Sequence, residues 1–172
     1  WMSGVELSRN VPDVQIQNNV LYVAMASNAS TPELRAYDVS NPSLIRELWQ
    51  GPTISADANV IHLNGRYMYV GYSAASGNDF RVYDIQNPQK PVLRGGVDLS
   101  TGIVRSIYVS GKHAYIGVAN SIGNELLIYD ISDPTTPTSI GGIETGADVN
   151  AVQVAGRYAY LGLSSVTGSD YR

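Results

Sequence analysis

The chain contains no cysteine, which removes disulfides, thiolate metal sites and a cysteine nucleophile together, and leaves the redox compartment open. Charge is scarce as well. Asp, Glu, Lys and Arg make up 15% of the 172 residues, against roughly 25% in an ordinary soluble domain. Only Lys90 and Lys112 are lysines, and the net charge is −4. No basic stripe is available to neutralise phosphates or anionic headgroups, so nucleic acid is not an expected partner. No apolar run reaches the roughly 18 residues of a spanning helix, so direct membrane insertion is not expected either. The chain carries no G-x-S-x-G elbow, P-loop or G-x-G-x-x-G turn. A chain that opens on Trp1 with no signal segment before it reads as an interior piece of something longer.

What is present is a repeat. Tyr37-Asp38, Tyr83-Asp84 and Tyr129-Asp130 stand 46 residues apart each time, and Pro42, Pro88 and Pro134 follow at the same interval. Ahead of each Tyr-Asp pair lies a hairpin pattern. Asp13 to Ile16, a turn at Asn18-Asn19, and Val20 to Met25 make the first. Val60 to Leu63 with Tyr67 to Tyr72, Ser106 to Val109 with His113 to Val118, and Ala151 to Val154 with Tyr158 to Leu163 make the others. Gly65, Gly111 and Gly156 stand where a tight hairpin needs a residue with positive φ.

A third strand ends in each Tyr-Asp, over Leu34 to Val39, Phe80 to Ile85 and Leu126 to Ile131. The prolines of the following turns cannot donate to a ladder, so they close that strand. A fourth resumes at Val92 to Arg94 and at Ser139-Ile140. Ser43 to Trp49 has a local helical pattern, but its register matches the fourth strand of the other repeats.

Four short strands in about 46 residues predict an all-β fold of β-propeller blades rather than the shorter coils of a β-helix. In the second strands Tyr22, Tyr69, Tyr115 and Tyr160 share a face with Ala24, Gly71, Gly117 and Gly162, while Val23, Val70, Ile116 and Leu161 share the other. Both faces are apolar, as in a sheet covered on both sides; an array of small sandwiches is the alternative. The repeats run approximately over 9–55, 56–101, 102–146 and 147–172, the last stopping where its third strand begins. Trp1 to Ser8 matches in pattern the Leu48 to Ser55 stretch that precedes a repeat.

The third repeat, Ile107-Tyr-Val-Ser-Gly-Lys-His-Ala-Tyr-Ile-Gly117 followed by Leu126-Leu-Ile-Tyr-Asp-Ile-Ser-Asp-Pro-Thr-Thr-Pro137, resembles the LVIVD repeat. The resemblance covers almost the whole chain. It departs in repeat one, where Asn18 replaces the hairpin Gly and Ile45 the second Pro. It implies four-stranded blades and a place at the cell surface of a bacterium or archaeon. It implies no activity and no cofactor.

Candidates for chemistry stand beside plainer uses. Asp38, Asp84 and Asp130 recur in phase, each before a turn whose N–H groups a carboxylate can accept. Glu33, Asp79, Glu125 and Asp170 also recur, but a calcium loop needs several converging oxygens, and Ser76, Asn78 and Asp79 are too few. His62 and His113 have no second ligand at metal spacing. Asn28-Ala-Ser30 is a glycosylation sequon.

In a propeller the loops leading into the innermost strand and those joining strands two and three open on one face. Here those are the long, variable loops, where function belongs. They bring Asn10, Asp57, Asn59, Arg105, Asp148 and Asn150 toward the channel mouth. The ligand-binding candidates are Asp57, Asn59, Arg105, Asp148 and Asn150; no catalytic or metal residue is expected. These lead-in residues also suit hydrogen bonding to their own turns. The expected function is a non-enzymatic extracellular module binding a protein or glycan ligand. The alternatives are a structural subunit joining other copies of itself through open blade edges, and an enzyme using the channel mouth.

Overall fold

The computed structural model describes residues 4–28, 30–73, 75, 77–99, 102–119 and 123–164. The first antiparallel sheet, blade 1, runs in order through β1 (Asp13–Gln17), β2 (Val20–Ala24), β3 (Leu34–Asp38) and β4 (Arg46–Gln50). Blade 2 repeats it with β5 (Ala58–Asn64), β6 (Tyr67–Tyr72), β7 (Phe80–Asp84) and β8 (Val92–Val97). Blade 3 holds β9 (Ile103–Ser110), β10 (His113–Ala119), β11 (Leu126–Asp130) and β12 (Thr138–Ile143). Of blade 4, β13 (Val149–Ala155) and β14 (Tyr158–Leu163) lie among the described residues. The start of its expected third strand, at Tyr171-Arg172, falls outside them.

Turn chemistry sets the hairpins. Gly65, Gly111 and Gly156 have φ between 57° and 60°, and blade 1 meets the same demand with Asn18 and Asn19, at φ 52° and 61°, the residue type most tolerant of that region after glycine. The fourth strand of blade 1 begins later than the sequence pattern predicts, at Arg46 rather than Ser43. Leu44 N–H is spent on the Asn41 carbonyl at 2.9 Å, closing the proline turn first. Residues 4–8, which match a pre-repeat segment in pattern, form no strand. Leu7 instead packs on Val23, Met25 and Tyr37.

The blades stack face to face. Tyr22, Leu34 and Ala36 on the rear of blade 1 enclose a core with Ile61, Met68, Val70 and Tyr83 on the front of blade 2. The rear of blade 2, with Tyr69, Phe80 and Val82, does the same against Ile107, Ile116 and Tyr129 of blade 3. Blade 3 follows suit through Leu126 and Tyr115 against Val152 and Leu161 of blade 4. Burial pushes the phenols of Tyr22 and Tyr69 up to about 12. Innermost strands are neighbours in chain order, β1 against β5, β5 against β9 and β9 against β13. This is a propeller arrangement of stacked blades, with the inner strands lining the centre.

Close approach requires the small residue beside each rear tyrosine. A Cβ added at Gly71 would run into the Val104 side chain of the next blade. One at Gly117 would lie 2.7 Å from both Val149 Cγ1 and the Val149 carbonyl oxygen. Gly117→Val should therefore lower unfolding free energy by about 1–3 kcal/mol through overpacking. Gly141→Ala, where a Cβ meets nothing within 4 Å, should stay within about 0.5 kcal/mol of the parent. Chemical denaturation of the two variants side by side measures the difference.

Candidate functional site

The inner strands of blades 2, 3 and 4 share a feature at their first turn. In β5 the register passes from Ala58 opposite Tyr72 to Val60 opposite Gly71, leaving Asn59 without a partner position. In β9 it passes from Val104 opposite Val118 to Ser106 opposite Gly117, skipping Arg105. In β13 it passes from Val149 opposite Leu163 to Ala151 opposite Gly162, skipping Asn150. Each skipped residue is a β-bulge, which bends the strand and re-aims the side chain. Three of the five sequence-predicted site residues thus occupy one structural position on three adjacent strands, with Arg105 and Asn150 exposed and Asn59 half-buried.

The two acidic candidates are placed differently. Asp57 precedes β5, and its Oδ1 accepts the Ser27 N–H at 2.7 Å, tying the start of blade 2 to the loop after β2. Its carbonyl accepts the Ser73 N–H at 2.9 Å. Asp148 repeats the carbonyl bond with Ser164 N–H at 2.9 Å, and its own N–H donates to Ser164 Oγ at 3.1 Å. Asn10 accepts Ala26 N–H in the same way, at 3.0 Å. Asn59 Nδ2 donates to Ser73 Oγ at 3.0 Å. The lead-in backbone is thereby fixed, and the bulge side chains project from a rigid support.

Sequence reading placed these residues at the channel mouth but missed the bulges. Their signal is a break in period. Ala58, Val104 and Val149 are buried, and so are Ile61, Ile107 and Val152 three residues later. An unbroken strand would set positions three apart on opposite faces.

The recurring acids serve other ends. Glu33 is fully buried and accepts the N–H groups of Ile54 and Ser55 at 2.8 and 3.1 Å, on the segment entering blade 2. Glu125 accepts Thr145 N–H at 2.7 Å and Gly146 N–H at 3.3 Å on the segment entering blade 4. Asp79 accepts Ala75 N–H at 2.7 Å, and burial raises its carboxyl against the backbone bonds from Ala75 and Leu99. Ser76 and Asp170 lie outside the described residues. Among the described residues no three His, Cys, Asp or Glu side chains gather as a metal cluster. His62 packs against Tyr108 at 5.4 Å, and burial lowers its basicity while nearby Asp13 opposes that shift.

At the opposite end of the strands, Asp38, Asp84 and Asp130 each accept the N–H two residues on, at 2.9, 3.0 and 2.8 Å. Asp84 is the most heavily used. Arg66 and Arg94 both reach its Oδ2, at 2.5 and 2.6 Å, tying the β5–β6 turn and β8 to the end of β7. Bonds from Ser40, from Arg66 and from Ser132, in that order, hold Asp38, Asp84 and Asp130 below the ordinary carboxylate value.

The LVIVD repeat family matches the chain three times, over residues 8–48, 55–99 and 101–145. No curated protein matches it. Among solved structures, the crystal structure of the computationally designed Ika4 protein is similar, with a TM-score of 0.66 and 13% identity over 94% of this chain and 93% of that one. At that identity the likeness concerns the fold alone.

Two outcomes test these carboxylates. A carboxyl whose folded pKa is depressed contributes stability that is complete above its unfolded value, about 3.9, and is lost as pH falls through the folded value. Denaturant midpoints should therefore fall between about pH 4 and pH 2, and Asp84→Asn should show a shallower fall than the parent. Asp13 and Asp79, which burial raises, act in the opposite sense and leave that comparison intact. Glu33→Ala should destabilise at neutral pH by about 1–3 kcal/mol for each backbone donor it orphans, read from the same denaturation curves.

Proposed function

The chain belongs to the LVIVD-repeat family, and from that premise we propose that it is a non-enzymatic extracellular binding module, whose ligand sits over the bulge residues at the channel mouth. The observation that carries this reading is the shared position of Asn59, Arg105 and Asn150 on three adjacent inner strands. Packing positions repeat the same residue types from blade to blade, as Tyr22, Tyr69, Tyr115 and Tyr160 do. The bulge positions carry Asn, Arg and Asn, a change of type at the middle blade that suits a site grafted on a repeated scaffold.

Two carboxamides and a guanidinium supply mostly donors, and the carboxylates of Asp57 and Asp148 beside them add acceptors. That set matches hydroxyl-rich ligands, glycans above all, better than phosphates, which call for several converging cations. A polar protein loop is the other ligand of matching chemistry. The cell surface is the proposed location, in keeping with the family resemblance.

Binding to a glycan array, followed by calorimetry on the best ligand, tests the proposal. Arg105→Ala and Asn150→Ala should each weaken binding by about tenfold, roughly 1.4 kcal/mol, with the melting temperature unchanged because both side chains are exposed. Asp57→Ala should lower the melting temperature as well, because it frees the Ser27 N–H. Ligand binding that is indifferent to Arg105 and Asn150 would move the site off this face.

A further inference from the structure

We propose that the hollow at the Asp84 end of blade 2, between the β5–β6 turn and β8, binds a tetrahedral oxyanion, a phosphate or sulfate group. It lies at the opposite end of the strands from the channel mouth and stands independently of the glycan reading.

The hollow measures about 220 Å³, and Arg66, Asp84, Asn87, Lys90 and Arg94 help to line it. Three cations thus surround one carboxylate, in a chain whose net charge is −4. Both arginines turn the same edge toward Asp84. Nε and Nη2 of Arg66 donate to its Oδ2 at 2.9 and 2.5 Å, and those of Arg94 at 3.2 and 2.6 Å. The other oxygen, Oδ1, accepts the Gln86 N–H at 3.0 Å. Among the described residues neither arginine's Nη1 nor the Lys90 ammonium has a hydrogen-bond partner. Asn87 Oδ1 accepts the Gln89 N–H at 3.0 Å, which leaves its amide nitrogen as a further donor.

Holding Asp84 does not by itself call for this set. One arginine suffices for the equivalent carboxylate of blade 1, where Arg46 meets Asp38 at 2.7 Å. A second guanidinium on the same oxygen sets two like charges side by side, and they repel. Lys90 adds a third. An oxyanion over the unused edges offsets that repulsion and accepts the N–H groups that Asp84 leaves over. The side chain of Asp84 is 5% exposed, whereas those of Arg66 and Arg94 are 49% and 40% exposed. The carboxylate is therefore a buried anchor that orients two guanidinium groups still open to solvent.

The cations are also peculiar to blade 2. Arg66 follows the hairpin glycine, where blade 1 has Asn19 and blade 3 has Lys112. Lys90 corresponds to Leu44 one repeat earlier and Thr136 one repeat later. Arg94 is the bulge residue of β8, passed over between Leu93 opposite Tyr83 and Gly95 opposite Val82. The same bulge holds Leu48 in β4 and Ile140 in β12. The turn-binding Asp is thus common to three blades, and the three cations are an addition to one, as in a site grafted on a repeated scaffold. Forked guanidinium donors fit the oxygens of a tetrahedral anion, and the hollow is smaller than the roughly 300 Å³ at which pockets for whole small molecules begin. An anionic group fits it better than a large ligand does.

Titration with inorganic phosphate, and separately with sulfate, tests this, with the Nε–H resonances of Arg66 and Arg94 followed by NMR and ionic strength held constant with sodium chloride. At least one of the two should give saturable shifts with a Kd of about 10 mM or tighter, and the tighter binder shows which group the hollow selects. Lys90→Gln, and Arg94→Ile, which leaves Arg66 on Asp84, should each weaken that binding at least about fivefold. The melting temperature of the Lys90 variant should not change, because that side chain makes no hydrogen bond among the described residues. Arg105→Ala should leave anion binding unaltered, so this site and the channel mouth fail or stand separately. Equal shifts with chloride alone, no saturation by about 10 mM of either anion, or binding that survives either substitution would each overturn the inference.

Discussion

Everything in this fold depends on how closely one twisted sheet can approach the next. A side chain larger than hydrogen at position 71 or 117 would occupy the space of Val104 or Val149 in the following blade. The small residue lets the sheets close, and closure buries the tyrosine two positions earlier. Burial of Tyr69 against blade 3, with its ring stacked at 6.1 Å on Phe80 of its own blade, then contributes the apolar area that a four-stranded sheet cannot bury alone. The close contact also brings the inner strands side by side, and that places three bulges at one end of the assembly.

Carboxylates solve the problem that stacking creates. Between blades the chain must leave the outermost strand and return to the innermost, and its backbone N–H groups on the way have no ladder to join. Glu33 and Glu125 reach from the loop after each blade's second strand and accept those groups in the interior. At the far end, Asp38, Asp84 and Asp130 pin the proline turns. Acids that recur in phase are thus consumed by backbone. The bulge residues just inside the lead-in stand apart from these carboxylate bonds, with Arg105 and Asn150 exposed.

Much of this was legible in the sequence because it is local or periodic. Hairpin glycines announce positive φ, Tyr-Asp-x-x-x-Pro announces the end of a strand, and alternation along Tyr67 to Tyr72 tells one face from the other. The bulges were not legible as such, since Asn59 reads as one more polar residue in an alternating strand until its opposite neighbour is known. Nor was the destination of Glu33. Its partners, Ile54 and Ser55, are 21 and 22 residues away, and only the path between blades brings them within reach. Exposure of Tyr160 is likewise a matter of neighbours, because its own sequence context is that of a buried interblade tyrosine.

A stack of like units gains stability from each unit and from each junction between neighbours. At blade 1 the segment before β1 is held down: Arg9 Nε donates to the Ala26 carbonyl at 2.7 Å, and Arg9 Nη1 donates to Thr31 Oγ1 and the Pro32 carbonyl at 2.7 and 2.8 Å. That anchorage lets Leu7 cover part of the front face. On the rear of blade 4, Tyr158 and Tyr160 remain open to solvent. The front of blade 1 is therefore shielded in part by the chain leading into it, held down through the loop that follows β2.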